Sequence, residues 1–238
     1  MTELISWIII VLTVFAVHVG MAFILEVDAM KTIRDMNKII LASASPRRRE
    51  LLKQMGLEFE VIPSKVDEVI TRKIPWEIVM ELSSQKARDL VYKAAMDSLS
   101  DTSAEDKDAE GRDILVIGAD TVVAYGDRIL GKPKDKADAV EMLTLLAGKC
   151  HSVYTGVSLV YLKEGIAQTR TFVEETKVYV APMTTEQIEA YVATGECMDK
   201  AGAYAIQGRF AEFVVKIDGD YNNVVGLPVG RIMRECIF

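Results

Sequence analysis

Residues 39–52 read I-I-L-A-S-A-S-P-R-R-R-E-L-L, and this stretch decides how the chain begins to fold. Residues 38–42 form a short apolar run that predicts a β-strand. A helix is predicted immediately afterwards, because Ser45 is a good N-cap residue and Pro46 suits the first helical position. A strand that passes directly into a helix is typical of an α/β protein.

Three arginines, Arg47, Arg48 and Arg49, fall in the first turn of this predicted helix. That turn already carries roughly half a positive charge from the helix dipole and offers free backbone N–H groups. Three cations repel the dipole and one another there unless an anion joins them, so the turn is suited to phosphate. The alternative is an ordinary capped surface helix with solvated arginines.

The composition limits the ligands that such a turn can take. The chain has 238 residues, of which half are hydrophobic, and its formal net charge is −7. This acidic balance argues against broad, sequence-independent binding of nucleic acid. A local basic pocket in an acidic protein instead indicates a small anionic ligand held with a divalent metal ion. The three widely spaced cysteines predict reduced thiols, and neither a disulfide framework nor a zinc site.

The N-terminal residues 4–25 are almost uninterrupted apolar sequence, long enough to span a bilayer. Glu3 is the only charged side chain before this run. Three basic residues follow it: Lys31, Arg34 and Lys38. The positive-inside rule therefore places the rest of the chain in the cytosol.

We expect residues 1–35 to form an N-terminal hydrophobic helix that anchors the protein to a membrane, and residues 36–238 to form a cytoplasmic domain. The alternatives are an uncleaved or misassigned leader, because Met30 and Met36 both lie just before the first predicted strand.

From Lys38 onward, predicted strands and helices alternate. The further predicted strands are 58–62, 114–118, 122–125, 128–130, 152–161, 168–180 and 213–217. The predicted helices after the first are 76–95, 136–146, 184–194 and 228–236. Hairpins at Gly126-Asp127 and at 163–165 interrupt the alternation, so we predict an α/β protein with a mixed β-sheet and flanking helices. The polar, mostly acidic residues 97–112 predict a surface loop.

The tetrad Gly118-Ala119-Asp120-Thr121 lies at the end of a buried-looking apolar strand, where α/β sheets usually place their ligands. The carboxylate of Asp120 is suited to hold a divalent ion or to accept a proton from water. The alternative is an aspartate that caps a turn. The usual phosphate loop of ATPases and the Gly-x-Ser-x-Gly elbow of hydrolases are both absent from the sequence.

Three further side chains are candidates for ligand contacts. Lys86 in a predicted helix and Lys132 in the turn Gly131-Lys132-Pro133 suit phosphate, but both also fit an exposed surface. Gln207 lies in a segment with two glycines and looks buried, which indicates backbone close to a ligand. Its carboxamide carries both a donor and an acceptor and is able to read the edge of a base.

Several of these motifs occur together, in a fixed order. They are L-A-S-A-S-P-R-R at 41–48, G-A-D-T at 118–121, G-K-P at 131–133, T-G-V at 155–157, D-K-A-G-A-Y-A-I-Q-G at 199–208 and N-V-V-G-L-P at 223–228. From about Lys38 to the C-terminus the chain closely resembles the Maf family of nucleoside triphosphate pyrophosphatases, also called septum-formation-inhibitor-like proteins. The resemblance implies a two-lobed α/β fold with a cleft between the lobes, often a homodimer, and metal-dependent cleavage of a nucleotide to monophosphate and pyrophosphate.

The resemblance also implies a role for individual residues. Asp120 matches the proton acceptor of the family. The phosphate-binding segment is matched by Ser43, Ser45, Arg47 and Arg48. Glu68, Lys86 and Lys132 match further site positions, and Asp120 with Glu68 would hold Mg²⁺ or Mn²⁺.

Three positions distinguish the branches of the family. Arg47, Thr121 and Gln207 resemble the branch that prefers dTTP and UTP. Members with an aromatic residue after Ser-Pro and Gln after the catalytic Asp resemble the branch that acts on 7-methyl-GTP. A modified pyrimidine nucleotide as substrate, and a nucleotide-binding regulator of cell division without catalysis, are the remaining alternatives.

Overall fold

The computed structural model describes residues 32–100, 113–163 and 166–237. The described helices are α1 Pro46–Gln54, α2 Pro75–Ser100, α3 Lys136–Leu146, α4 Thr185–Ala193, α5 Tyr221–Val225 and α6 Val229–Glu235. The described strands are β1 Lys38–Leu41, β2 Glu60–Val61, β3 Ile114–Tyr125, β4 Arg128–Leu130, β5 Cys150–Lys163, β6 Ile166–Val180 and β7 Val214–Asp218. Short 3₁₀ turns lie at Ile33–Asp35, Ala201–Ala203 and Arg209–Phe213.

All seven described strands belong to one sheet, in the order β2-β1-β3-β5-β6-β7, with β4 paired to β3. Strands β2, β1 and β3 run parallel, whereas β5, β6, β7 and β4 pair antiparallel with their neighbours. The α/β class and the mixed sheet predicted from the sequence are therefore confirmed. The hairpins are the reason for the mixture, because tight turns can join only antiparallel strands.

The two faces of β3 meet different layers of the molecule, since successive side chains of a strand point to opposite sides. The residues of β3 that face α2 are Ile114, Val116, Gly118 and Asp120. The residues that face the larger core, which also receives α3 and α4, are Leu115, Ile117, Ala119 and Val123. Asp120 and Thr121 are neighbours in sequence and so lie on opposite faces.

A notch in the sheet edge lies beside these two residues. Strand β5 pairs with one edge of β3 along 114–124, so β1 and β4 share the other edge. Pairing with β1 ends at Leu41 opposite Ile117, and pairing with β4 begins only at Val123. None of the described strands pairs with residues 118–122 on this edge. We call this gap in the pairing the notch.

Several local predictions match the structure closely. Helix α3 has the predicted bounds, with Asp135 as its N-cap, and it buries Ala139, Leu143 and Leu146. Helix α4, predicted at 184–194, spans Thr185–Ala193 and opens with a capping box, in which Thr184 and Gln187 bond each other's backbone N–H groups. The ends and the buried faces of these helices depend on residues that are close in sequence, so the sequence alone was enough to predict them.

Other predictions were wrong. The break expected at 119–121, between the predicted strands 114–118 and 122–125, does not exist, because β3 continues through these residues and pairs with β5 along 114–124. The strand expected at 58–62 is only Glu60–Val61. Helix α2 runs to Ser100, so the first four residues of the predicted loop 97–112 are helical and the other residues lie outside the described part.

The predicted hydrophobic helix within residues 1–35 also lies almost wholly outside the described residues, which begin at Thr32. Among residues 32–100, 113–163 and 166–237, no helix is both long and apolar enough to cross a bilayer.

Candidate active site

A cavity of about 650 Å³ opens at the notch. All site residues proposed from the sequence line it, although they come from distant stretches of the chain. They are Ser43, Ser45, Arg47, Arg48, Glu68, Lys86, Asp120, Thr121, Lys132 and Gln207. The fold thus brings the proposed set together, while the role of each residue stays a prediction.

Lys86 joins the two proposed carboxylates. Its Nζ lies 2.6 Å from Oδ1 of Asp120 and 3.0 Å from Oε1 of Glu68. The side chains of Lys86 and Asp120 are only 16% and 15% exposed, whereas that of Glu68 is 47% exposed. Shielding from water strengthens a charged hydrogen bond. Lys86 therefore points into the cavity and does not belong to a solvated helix face.

Two glycines allow α2 to approach the sheet closely enough for this contact. A Cβ at Gly118 would lie 2.3 Å from the backbone oxygen of Ser83, and a Cβ at Gly156 would lie 2.3 Å from that of Val79. Gly156 is the cross-strand partner of Asp120, so both close contacts are beside the carboxylate. Only glycine fits under the helix at these positions, and the close packing fixes the distance of α2 from Asp120.

Arg48 fills the notch and bonds to its walls. Its Nε donates to the carbonyl of Gly226 at 2.8 Å, and its Nη1 donates to Ser43 Oγ at 3.2 Å and to the carbonyl of Ala119 at 2.9 Å. Its Nη2 donates to Thr121 Oγ1 at 3.0 Å. Four of the five guanidinium N–H groups are therefore used within the protein. Arg48 is placed to hold the site together more than to bind phosphate directly.

The environment of Arg48 also affects its protonation. Burial lowers the pKa of the guanidinium, and the nearby charge of Asp120 opposes this effect. Arginine starts from a pKa so high that it stays protonated at neutral pH. Its positive charge is therefore a permanent part of the cavity.

Thr121 belongs to a chain of hydrogen bonds behind Arg48. Its hydroxyl lies 2.9 Å from Thr155 Oγ1, and Thr155 donates to the carbonyl of Asn223 at 3.0 Å. A hydroxyl has only one hydrogen to donate, so Thr155 must accept from Thr121. Thr121 in turn accepts from Arg48. This arrangement links Thr121 to the cavity through Arg48.

Arg47 lies at the rim of the cavity beside two charged residues that the sequence analysis did not single out. Its Nη1 is 3.3 Å from Oδ2 of Asp199, and Lys200 pairs with the other oxygen of that carboxylate. Burial raises the pKa of Asp199, but the hydrogen bonds and charges of Lys200 and Arg47 outweigh it and lower the pKa. Asp199 and Lys200 begin the motif at 199–208, but only the contacts in the folded protein show that they line the cavity.

Gln207 is exposed at the rim, so the expectation of a buried glutamine was wrong. Residues 202–206, which precede it, are buried, whereas Gln207 lies at the edge of the cavity. Gly202 in this segment has a φ of +69°, and its N–H donates to the carbonyl of Gly131 at 3.0 Å. This hydrogen bond joins the segment 199–208 to the exposed turn that carries Lys132.

The turn before α1 differs from the expectation in one detail. Ser45 is the N-cap by position and Pro46 opens the helix, but the Ser45 side chain makes no capping hydrogen bond. Instead, Ser43 Oγ accepts from the Ser45 N–H and from Arg48, each at 3.2 Å. The first turn of α1 therefore lacks the side-chain acceptor that was predicted for it.

The cavity offers few protein ligands for a divalent metal. In the part of the chain that the structure describes, no group of three or more His, Cys, Asp or Glu side chains converges on one point. Asp120 and Glu68 each direct one carboxylate oxygen at the Lys86 Nζ and have a second oxygen for another cation. Mg²⁺ is commonly held by one or two carboxylates together with substrate phosphates and waters. The pair thus fits a cation that binds with a phosphorylated substrate, and not a metal held by protein alone.

Comparison with known proteins gives a consistent result. The model of a family described as Maf-like protein matches residues 38–236. A dTTP/UTP pyrophosphatase of Agathobacter rectalis is 53% identical over 84% of this chain and 96% of its own length. Proteins of the same name from Lachnoclostridium phytofermentans and Bacillus anthracis are 45% and 49% identical, each over 84% of this chain and 94% of their own length. The resemblance inferred from the motifs is confirmed, and the chain belongs to the Maf family.

Proposed function

We propose that this protein is a nucleoside triphosphate pyrophosphatase that hydrolyses dTTP and UTP, and modified pyrimidine nucleotides of similar shape, to the monophosphate and diphosphate. The observation that carries the proposal is the meeting of Asp120, Lys86 and Glu68 in one cavity with the cations of Arg47 and Lys132. Relatives named for this activity share 45–53% identity with the chain, which supports the same conclusion.

The hydrolytic step is assigned to Asp120. Its largely shielded carboxylate would orient a water molecule and accept one of its protons as the water oxygen bonds to the α-phosphorus. The bond from that phosphorus to the bridging oxygen then breaks, and pyrophosphate leaves. Lys86 would hold the carboxylate in position through its 2.6 Å contact.

The triphosphate is assigned to the cationic side of the cavity. Arg47, Lys86, Lys132 and Lys200 all line it, and the N-terminus of α1 adds the positive end of its dipole. Arg48 would act chiefly by fixing the walls to which these groups are attached, because most of its donors are already used.

We further propose that Asp120 and Glu68 hold Mg²⁺ or Mn²⁺ when the nucleotide binds. A divalent cation at this place would offset negative charge on the pyrophosphate leaving group. Glu68 is the more exposed ligand, so it would complete the site only when the loop that carries it is correctly placed.

Selection of a pyrimidine base is assigned to the rim. Gln207 would pair with the base edge through the donor and acceptor of its carboxamide. Arg47, which forms an ion pair with Asp199 at the rim, would also contribute to the choice of base. Thr121 would influence selection indirectly, because its hydroxyl supports Arg48.

The test is pyrophosphate release from a panel of dTTP, UTP, CTP, GTP and 7-methyl-GTP, with Mg²⁺ or with excess chelator. We expect release from dTTP and UTP that depends on the metal. Preferred release from 7-methyl-GTP would instead assign the chain to the other branch. Tight binding of dTTP or UTP without any release would indicate a nucleotide-binding regulator.

Two expectations about the whole protein remain proposals. We propose a homodimer, which light scattering of the purified protein would confirm or exclude. We also propose a cytoplasmic enzyme domain, with residues 4–25 as its tether to a membrane. Fractionation of the full chain beside a chain that starts at Met36 tests this, and recovery of both in the soluble fraction would contradict the tether.

A further inference from the structure

The loop that carries Glu68 is bonded to one face of helix α2. We call residues 62–74, which connect β2 to α2, the strap. The strap has no regular secondary structure, so its backbone groups need partners from elsewhere in the fold. Three polar side chains spaced four residues apart on α2 supply several of these partners: Glu81, Gln85 and Asp89. This spacing places all three on the same face of the helix.

The three contacts are distributed along the strap. Asp89 accepts from Ser64 Oγ at 2.8 Å and from the Lys65 N–H at 3.2 Å, near the start. Glu81 accepts from the N–H of Thr71 at 2.9 Å and from its hydroxyl at 2.5 Å, near the end.

Gln85 makes the contact closest to Glu68. Its Oε1 accepts from the Val69 N–H at 3.0 Å, and its Nε2 donates to the Val69 carbonyl at 2.7 Å. Both backbone polar groups of the residue next to Glu68 are thus held by one side chain. Gln85 also directly precedes Lys86, so one turn of α2 fixes both partners of the Glu68–Lys86 ion pair.

Apolar packing contributes little to the position of the strap. Val69 and Ile70 are 57% and 56% exposed, and Val66 and Ile74 are also exposed. A loop that buries few apolar side chains is held mainly by its polar contacts and opens easily when these are lost. The hydrogen bonds from α2 therefore determine where the Glu68 carboxylate lies.

We infer that Gln85 is a positioning residue that sets Glu68 for the metal-bound nucleotide. The inference rests on the proposed function, because it takes Glu68 as a ligand of the cation that accompanies the substrate. Residues that orient a metal ligand commonly change metal affinity or activity by 10–100-fold when they are lost. Gln85 does not touch the substrate in this view and acts only through Glu68.

The test compares Gln85→Ala, Glu68→Gln and the double variant in the full chain. Binding of Mn²⁺ is measured by electron paramagnetic resonance in the presence of α,β-imido-UTP, which is not cleaved. We expect Gln85→Ala to weaken Mn²⁺ binding about 10-fold or more. The double variant should bind no more weakly than Glu68→Gln, because a residue that acts through Glu68 has no effect without it.

Arg88→Ala is the matched control, because Arg88 is an exposed residue of the same helix and takes no part in the strap contacts described above. It should bind Mn²⁺ within 2-fold of the parent. Hydrogen exchange provides a second measurement, and Gln85→Ala should speed exchange at Val69 while leaving β3 unchanged.

Mn²⁺ binding by Gln85→Ala within 2-fold of the parent, or losses that multiply in the double variant, would overturn the inference. Neither measurement requires turnover. A parent protein that cleaves no nucleotide would therefore refute the proposed function separately, and the role of Gln85 would still be decided by the comparison.

Discussion

Replacing Gly118 with alanine tests whether the close packing of α2 on β3 sets the geometry of the site. The added methyl group would lie 2.3 Å from the Ser83 backbone oxygen and 2.9 Å from the Ala87 Cβ, whereas ordinary contact begins near 3.4 Å. The backbone oxygen cannot rotate away, so the helix must move from the strand by roughly 1 Å. Overpacking of this kind lowers the free energy of unfolding by about 1–3 kcal/mol.

The same movement would separate Lys86 from Asp120. A misplacement of about 1 Å at a reacting group costs on the order of 100-fold in rate. We therefore expect kcat/KM for UTP to fall by about 100-fold in a variant that still folds. Urea unfolding followed by circular dichroism measures the stability, and pyrophosphate release measures the rate.

Gly230→Ala provides the control for this experiment. Gly230 lies in α6, where the nearest atom to an added Cβ is the flexible Arg234 Nη1 at 3.7 Å. Stability and rate should both stay close to those of the parent. Parental stability and rate in Gly118→Ala as well would show that the helix contact does not determine the active geometry.

Three further variants test other parts of the site. In Lys86→Met we expect turnover to fall by at least about 100-fold, because the ammonium that contacts Asp120 and faces the triphosphate is lost. Turnover at the parental rate would contradict this. Thr121→Val should raise KM for dTTP by roughly 10-fold, because loss of the hydrogen bond to Arg48 costs about 1–2 kcal/mol. Thr121→Ser keeps the hydroxyl and should restore the parental KM. Equal KM values in both variants would show that the hydrogen bond from Arg48 to Thr121 does not support substrate binding. His151 is buried with its Nε2 2.8 Å from the Tyr204 hydroxyl, and burial lowers its pKa from 6.5 to about 4. The unfolded chain therefore takes up this proton first as the pH falls, so stability should drop by about 3 kcal/mol between pH 6.5 and 4. His151→Gln should flatten that part of the unfolding profile, and an unchanged slope would assign the loss to other groups.

The parts of the fold that the sequence predicted well are those that local residues determine. Helix α3 is an example, since Asp135 caps it and Ala139, Leu143 and Leu146 repeat at helical spacing. The Gly126-Asp127 turn is another, because two residues are enough to specify a tight hairpin. Most of the site residues were found because they stand in short motifs, whereas Glu68 came only from the family resemblance.

The parts that were missed depend on contacts between distant segments. The tetrad 118–121 looked like the end of a strand because Gly and Asp disfavour strands, but pairing with β5 overrides that preference. The notch exists because β1 ends before β4 begins, and no local pattern records this. Asp199 and Lys200 likewise become site residues only when their segment folds against Arg47.

The most direct measurement is the rate of pyrophosphate release from dTTP and UTP by Asp120→Asn, compared with the parent under saturating Mg²⁺. The substitution keeps the size of the side chain and removes the proton acceptor. We predict a fall of about 10²–10⁴-fold, with an unfolding midpoint close to that of the parent. A folded Asp120→Asn protein that cleaves either nucleotide at the parental rate would contradict the assignment of hydrolysis to this carboxylate.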